Sequence, residues 1–300
     1  YGLHWAYFMW SLDVKNDIMQ LKSLQNFFKN GLVGYYPNEE IDTFFYRICS
    51  MHLKLKRIDI SIKSEMIIPN HTFEYFEMVI ERLLNYEPIQ YILGSTLFFG
   101  SDFIVNKEVL IPRPETEELI SWVLEQLDPD KSVKILDVGT GSGCIAISLA
   151  KQLPRADVYA MDISLGALSI AKKNAEANGV VIQFIEASVL DWESQDLFFD
   201  VIVSNPPYVR KSEKAMMSPN VLNHEPHLAL FVENNYPLLF YKAIVEMSKR
   251  NLTSQGLIYF EINEYLAKET KSIFSSTFFE AVQLKRDIFS KYRMLRARKY

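Results

Sequence analysis

The sequence predicts an α/β fold preceded by a small helical bundle, on three observations. Beyond about residue 130, strand-like and helix-like segments alternate, the pattern of a parallel sheet covered on both faces. One strand runs directly into a glycine-rich turn that opens a helix, Gly139-Thr140-Gly141-Ser142-Gly143. Residues 13 to about 90 carry apolar side chains at helical spacing. A chain of 300 residues is long enough for two domains.

The elements follow in order. Leu21, Leu24 and Phe28 share a helical face, as do Ile41, Phe44, Phe45 and Ile48, and then Phe73, Phe76, Val79, Ile80 and Leu83. Pro37-Asn38 and Pro69-Asn70 punctuate these helices, and Thr72 is a candidate cap for the last. This defines a helical docking domain over 1–88. The stretch 89–112 reads as a β-hairpin connector, with Gly94 and Gly100 bracketing Leu97-Phe98-Phe99. In Ile111-Pro112-Arg113-Pro114-Glu115-Thr116-Glu117, Pro114 suits a first helical turn and the carboxylates favour that N-terminus. The third domain, 113–300, carries strands at Val133–Val138, Asp157–Met161, Val181–Ile185, Val201–Ser204 and Gly256–Ile262. Its helices are Gly143–Gln152, Leu165–Asn178, Pro237–Asn251 and Tyr265–Phe274. Two further strands are expected near Glu280–Leu284 and Tyr292–Arg298.

Composition excludes several classes. The chain is 49% hydrophobic and 23% charged, with mean hydropathy near zero, as in a soluble globular protein. A net charge of −5 argues against indiscriminate nucleic-acid coating. From Lys285 to Tyr300, seven basic residues face one acid, Asp287; a Lys- and Arg-protected edge strand explains them. Cys49 and Cys144 give no disulfide framework and fit a reducing, cytoplasmic compartment. No apolar run reaches the roughly 20 residues of a membrane span. Tyr1–Trp10 is aromatic but lacks a basic n-region and a small-residue cleavage site, so it does not read as a signal peptide.

Two motifs carry chemistry. Glycines let the backbone turn sharply and let a ligand approach, and the helix they open attracts negative charge. Asp162 ends the next strand, nineteen residues past Gly143, where a carboxylate can accept both hydroxyls of a ribose. The dinucleotide fingerprint is broken by Cys144 at its sixth position. The observed G-x-G-x-G with Asp137 before it suits S-adenosylmethionine, whose ammonium Asp137 can balance. The second motif is Asn205-Pro206-Pro207-Tyr208, directly after the strand ending at Ser204. Two prolines fix the backbone and end the ladder. An amide, an exposed carbonyl and an aromatic ring held there suit one task, gripping a planar NH₂ group.

Taken together, Gly139-Thr140-Gly141-Ser142-Gly143-Cys144-Ile145-Ala146, Asn205-Pro206-Pro207-Tyr208 and the Ile111–Glu117 segment resemble the HemK/PrmC family. Pro88-Ile89-Gln90-Tyr91-Ile92-Leu93-Gly94 and Glu225-Pro226-His227-Leu228-Ala229-Leu230 match it as well. These are N5-glutamine methyltransferases that modify the Gly-Gly-Gln loop of class I peptide-chain release factors. The resemblance implies a Rossmann-like class I SAM-dependent methyltransferase sheet, mostly parallel with an antiparallel last strand. It implies cofactor contacts at Gly139, Thr140, Gly141, Ser142, Gly143, Asp162, Ser188, Val189 and Asn205. Catalysis falls to Asn205, Pro206 and Tyr208, and substrate contacts to these with Pro207, Arg113 and Glu115. The chain departs from the family at three places. Ser188-Val189 stands where an acid near the adenine is usual, with Asp191 a nearby substitute. Glu261-Ile262-Asn263 replaces Glu-Ile-Gly, and Phe289-Ser290 occupies a turn that usually holds glycine.

The expected mechanism needs no metal and no general base, because the amide proton becomes acidic only after methyl transfer. The Asn205 side-chain oxygen accepts one N–H of the substrate amide and the Pro206 carbonyl the other, while Tyr208 packs on the amide plane and Pro207 stiffens the turn. Arg113 and Glu115 either shape the substrate channel or pin the connector. His224-Glu225-Pro226-His227 lacks the spacing of a helical zinc motif, and Pro226 prevents that helix. The expected partner is a release factor acting on a monomeric enzyme, with no membrane and no direct nucleic acid. Glutamine methylation of a ribosomal protein remains open. So does adenine-N6 methylation of DNA or RNA, since Asn-Pro-Pro-Tyr also suits a flipped base.

Overall fold

The computed structural model describes residues 19–193 and 196–300. Tyr1–Trp10 and the start of the first expected helix lie outside the described residues. The chain divides into two compact units, meeting at Leu93 and Gly94.

The first unit is helical, with its main helices at Leu21–Leu32, Asn38–His52 and Asn70–Leu84. Each apolar face predicted by helical spacing is buried. Phe28, Phe45 and Phe76 meet at centroid distances of 5.5–5.8 Å, one ring from each helix. Each such pair adds about 0.5–1.5 kcal/mol beyond burial of its area. Two expectations need correction. The last helix is capped at Pro69, and Thr72 is buried within its first turn, because Asn70 can already adopt helical backbone after proline. Residues Ile89–Leu93 form a short helix rather than the start of a hairpin.

The second unit opens with an antiparallel hairpin, β1 (Ser95–Phe98) and β2 (Ser101–Ile104), followed by the helix Pro114–Leu124 with its proline in the first turn. A seven-stranded sheet follows. It comprises β3 (Lys134–Val138), β4 (Asp157–Asp162), β5 (Gln183–Glu186), β6 (Phe199–Ser204), β9 (Leu252–Glu261), β10 (Phe279–Arg286) and β11 (Tyr292–Lys299). Its order is β10-β11-β9-β6-β3-β4-β5, and β11 alone runs against the other six. Alternate residues of each central strand serve opposite cores. Ile135, Val158 and Val201 pack with the helices Pro114–Leu124 and Cys144–Gln152. Leu136, Met161 and Ile202 pack with Leu239–Asn251. Burial on both faces explains why these strands read as continuous apolar runs.

The strand order reverses beside β3, with β4 on one side and β6 on the other. Such switch points open a crevice past the carboxyl ends of the strands. A small parallel pair, β7 (Val209–Arg210) with β8 (Phe231–Val232), follows that crevice in the chain.

The basic C-terminal stretch is corrected in part. It falls mostly on β11, an interior strand, and only Lys285 and Arg286 lie on the edge strand β10. Its charges are held within the fold. Lys285 and Arg296 lie over the Trp122 ring, Arg293 pairs with Asp287, and Lys299 donates to the carbonyls of Lys249 and Leu252. No helix among the described residues is long and apolar enough to cross a membrane.

Candidate functional site

A cavity of about 420 Å³ lies past the carboxyl ends of β3, β4 and β6. Its floor is the glycine turn. Gly139 and Gly141 have φ of +74° and +55°, and a Cβ built on either would meet nothing within 4 Å, so the turn presents bare backbone. Gly143 has a different duty. It lies outside the cavity lining, and a Cβ there would stand 2.8 Å from Ile147 Cδ1, so it permits close packing of the helix it opens. Asn174 clamps the turn from behind. Its Nδ2 donates to the carbonyls of Ser142 and Ile104, and its Oδ1 accepts from the Ile104 amide.

Two carboxylates flank the turn, and the structure separates their roles. Asp162 lines the cavity, its Oδ2 accepting from the Gly141 amide and its Oδ1 from the Ser164 amide, both at 2.9 Å. Each oxygen keeps lone-pair capacity for a further donor. Burial raises the Asp162 pKa and the backbone donors oppose that rise. Asp137 lies below the turn, wholly buried and outside the lining. Its Oδ2 accepts from Thr140 Oγ1 at 2.6 Å and from the Ala146 amide, while Oδ1 has no partner. Burial pushes its pKa up to about 7. Asp137 therefore holds the loop to the helix start.

These features fit S-adenosylmethionine. The glycine cradle leaves room for the amino-acid end, Asp162 offers acceptors for two hydroxyls, and Met161, Ile163, Val189 and Leu190 supply apolar lining for a base. Ser188 and Val189 line the cavity as well, and the Ser188 hydroxyl accepts from the Leu190 amide, starting a 3₁₀ turn. Asp191 is exposed and outside the lining, so it does not replace the missing acid; the same turn carries it past the rim.

The other end is built from Asn205, Pro206 and Pro207, all in the lining. Val138 and Ser204 are register partners, and the Ser204 hydroxyl donates to the Val138 carbonyl at 2.6 Å, so both motifs leave the sheet side by side. Asn205 Nδ2 donates to Thr116 Oγ1 at 3.3 Å, and Thr116 Oγ1 donates to Glu261 Oε2 at 2.6 Å. Tyr208 departs from expectation. It lies outside the lining with its hydroxyl donating to Glu261 Oε1 at 3.0 Å, because a buried carboxylate needs donors on both oxygens. Burial and the neighbouring Glu261 raise its phenol pKa far above the ordinary range.

Arg113 lines the cavity and also donates to Glu225 Oε1 at 2.5 Å, while Glu225 Oε2 accepts from the Ile111 amide. Glu225, 1% exposed at its side chain, is thereby tied to the 111–113 segment and braces it. Glu115 is half-buried and outside the lining. Its neighbour Glu117 accepts from the Phe99 amide at 2.7 Å, pinning the hairpin tip to the helix. Sequence reasoning missed Thr116, Glu261 and Glu225 as a set. The available signal was an acid ending a buried strand, at Glu261, and a buried Thr between the acids of Ile111–Glu117.

Comparison with known proteins identifies the family. The family model "PrmC N-terminal domain" matches residues 33–94, and "Methyltransferase small domain" matches 120–228. A release factor glutamine methyltransferase of Flavobacterium psychrophilum is 48% identical over 281 residues, covering 93% of this chain and 99% of the relative. Its namesake from Bacteroides thetaiotaomicron is 42% identical, covering 90% and 97%. Among solved structures, the hMettl16 catalytic domain has a TM-score of 0.56 at 21% identity, covering 72% of this chain and 82% of that one. A methyltransferase from Pyrococcus furiosus has a TM-score of 0.51 at 17% identity, covering 74% and 98%. These two share the fold. The chain belongs to the release factor glutamine methyltransferase family.

Proposed function

We propose that this protein methylates the side-chain nitrogen N5 of the glutamine in the Gly-Gly-Gln loop of class I peptide-chain release factors. The observation that carries this reading is the free carbonyl oxygen of Asn205. Its amide NH₂ is engaged by Thr116, so Oδ1 is the end available to an incoming N–H donor. The names of the relatives support a release-factor glutamine as that donor.

A carboxamide nitrogen is a poor nucleophile because its lone pair is delocalised into the carbonyl. Asn205 Oδ1 accepts one N–H and the Pro206 carbonyl accepts the other, which favours a pyramidal nitrogen with its lone pair aimed along the cavity. Both bonds strengthen as positive charge develops on nitrogen. Fixing the reactants in line supplies on the order of 7 kcal/mol of the barrier. When bound, S-adenosylmethionine supplies an electrophilic sulfonium methyl and leaves as S-adenosylhomocysteine. The amide nitrogen gains the methyl and releases one proton to water, so the site needs no strong base. Pro207 keeps the turn rigid, Tyr208 anchors its far end, and Arg113 walls the channel while bracing it.

The test is labelled methyl transfer from S-adenosylmethionine to purified release factor, its Gln→Ala loop variant, ribosomal protein and DNA. Label on the intact release factor and none on the loop variant is expected. Label on DNA alone overturns the reading, and label on ribosomal protein alone moves the substrate to another glutamine.

A further inference from the structure

The amide of a free asparagine can rotate by 180°, exchanging donor for acceptor with little change of shape. A site that grips an N–H donor must therefore fix which end of Asn205 faces the cavity. We infer that Thr116 and Glu261 form a polar relay that sets the orientation of the Asn205 amide. This rests on Asn205 being the acceptor of the substrate amide, as proposed above.

The direction of the relay follows from donor counting. Glu261 is 2% exposed and its two oxygens meet two hydroxyls, Thr116 Oγ1 at 2.6 Å and Tyr208 Oη at 3.0 Å. An ionised carboxylate can only accept, so both hydroxyl protons point at it. A protonated Glu261 would need one of those hydroxyls to reverse. Burial raises the Glu261 pKa and the neighbouring Glu115 adds to that rise, while the hydroxyls of Thr116 and Tyr208 and the charge of Arg293 oppose it; the relay runs in this direction while Glu261 is ionised. A threonine hydroxyl has one proton, and here it goes to Glu261. The Thr116 oxygen can then meet only a donor, so Asn205 must present Nδ2 to it and Oδ1 to the cavity. The opposite rotamer would set two acceptor oxygens against each other.

The three residues come from distant segments: the first turn of the helix Pro114–Leu124, the end of β9, and the loop after β6. Glu261 holds both ends of the Asn-Pro-Pro-Tyr loop, Asn205 through Thr116 and Tyr208 directly. Thr116 and Glu261 are positioning residues.

The test measures steady-state methyl transfer to release factor with wild type, N205A, T116V, T116S, E261Q and the T116V/E261Q pair. T116V keeps the shape of the side chain and removes the hydroxyl. Its kcat is expected to fall about tenfold, the worth of one oriented hydrogen bond. The release-factor KM and the S-adenosylmethionine dissociation constant should stay near wild type, because neither reads the amide's orientation. T116S should recover most of the loss. E261Q leaves every hydroxyl a partner but lets the side-chain amide donate to Thr116, so the relay loses its single direction and kcat falls. In the T116V background E261Q should lower kcat by a smaller factor than it does alone, because the part of its effect that runs through Thr116 is already lost. Wild-type kcat in T116V, equal losses in T116S and T116V, or cofactor affinity falling in step with kcat would each overturn the relay. N205A separates the two levels of the argument. Normal turnover in N205A removes the acceptor reading and the relay with it. An inactive N205A beside a fully active T116V leaves that reading standing and removes the relay alone.

Discussion

The two ends of the cavity are built differently, although both emerge from the carboxyl edge of one sheet. The nucleotide end is made of backbone: left-handed glycines, and a carboxylate held by the amides of Gly141 and Ser164. Its parts are close in sequence. The acceptor end is made of side chains joined across long loops, with Asn205 bonded to Thr116 at a separation of 89 residues and Thr116 to Glu261 at 145. Backbone geometry tolerates few alternatives and so fixes a binding mode. A side-chain relay can be reversed by one atom change and so fixes the direction of a hydrogen bond. Recognition of a nucleotide needs the first property, and aiming a lone pair needs the second.

The comparison can be broken by mutation. Asn205→Ala should lower turnover by about 10²–10³, the usual effect of losing an oriented transition-state partner; full activity in a methyl-transfer assay would sink the mechanism. Asp162→Ala should raise the S-adenosylmethionine Kd by about tenfold, since charged hydrogen bonds contribute about 1.5–3 kcal/mol, while kcat at saturating cofactor changes little. Calorimetric titration would reveal the opposite pattern if Asp162 served the acceptor end.

Two further changes probe the supports. Arg113→Ala leaves the buried Glu225 carboxylate without its cation, and unfolding stability should fall by about 1–3 kcal/mol, below the fully buried limit because Arg113 keeps partial solvent access. Urea unfolding measures this. Gly143→Ala places a Cβ against Ile147 at φ +81°, and a loss of about 1–3 kcal/mol is expected with no new contact to the ligand.

Stability should also depend on pH. Burial raises the Asp137 pKa from 3.8 to about 7. A raised folded-state value means the folded chain binds the proton more tightly than the unfolded chain. The contribution to stability is therefore fully present below pH 3.8 and is lost as pH rises through about 7. Asp137→Asn should remove this slope, so the stability difference between wild type and variant should shift in favour of the variant from acid to neutral pH. Parallel curves across that window would contradict it.

The same contrast governs what the sequence reveals. The glycine turn, Asp162 and Asn205–Pro207 are contiguous or lie in strand-end register, and the structure places all but Gly143 around one cavity. The central parallel strands β3, β4 and β6 were legible because both faces are buried and the runs are mostly apolar. Thr116 and Glu261 were not legible as a pair, because no local pattern links a helix start to the end of a strand 145 residues later. The hydroxyl bond of Tyr208 was illegible for a related reason. An aromatic ring after two prolines suggests stacking, but a buried carboxylate brought from β9 captures its hydroxyl. The basic tail shows the same limit: composition suggested an edge, whereas β11 enters the sheet between β10 and β9.

The division between the two ends is tested most directly by calorimetric titration of S-adenosylmethionine into wild type, Asn205→Ala and Asp162→Ala, with turnover measured on the same samples. The account predicts that Asn205→Ala keeps the wild-type Kd while losing turnover, and that Asp162→Ala weakens the Kd while retaining kcat. A Kd that rises in Asn205→Ala as far as its turnover falls would place Asn205 in cofactor binding and contradict the account.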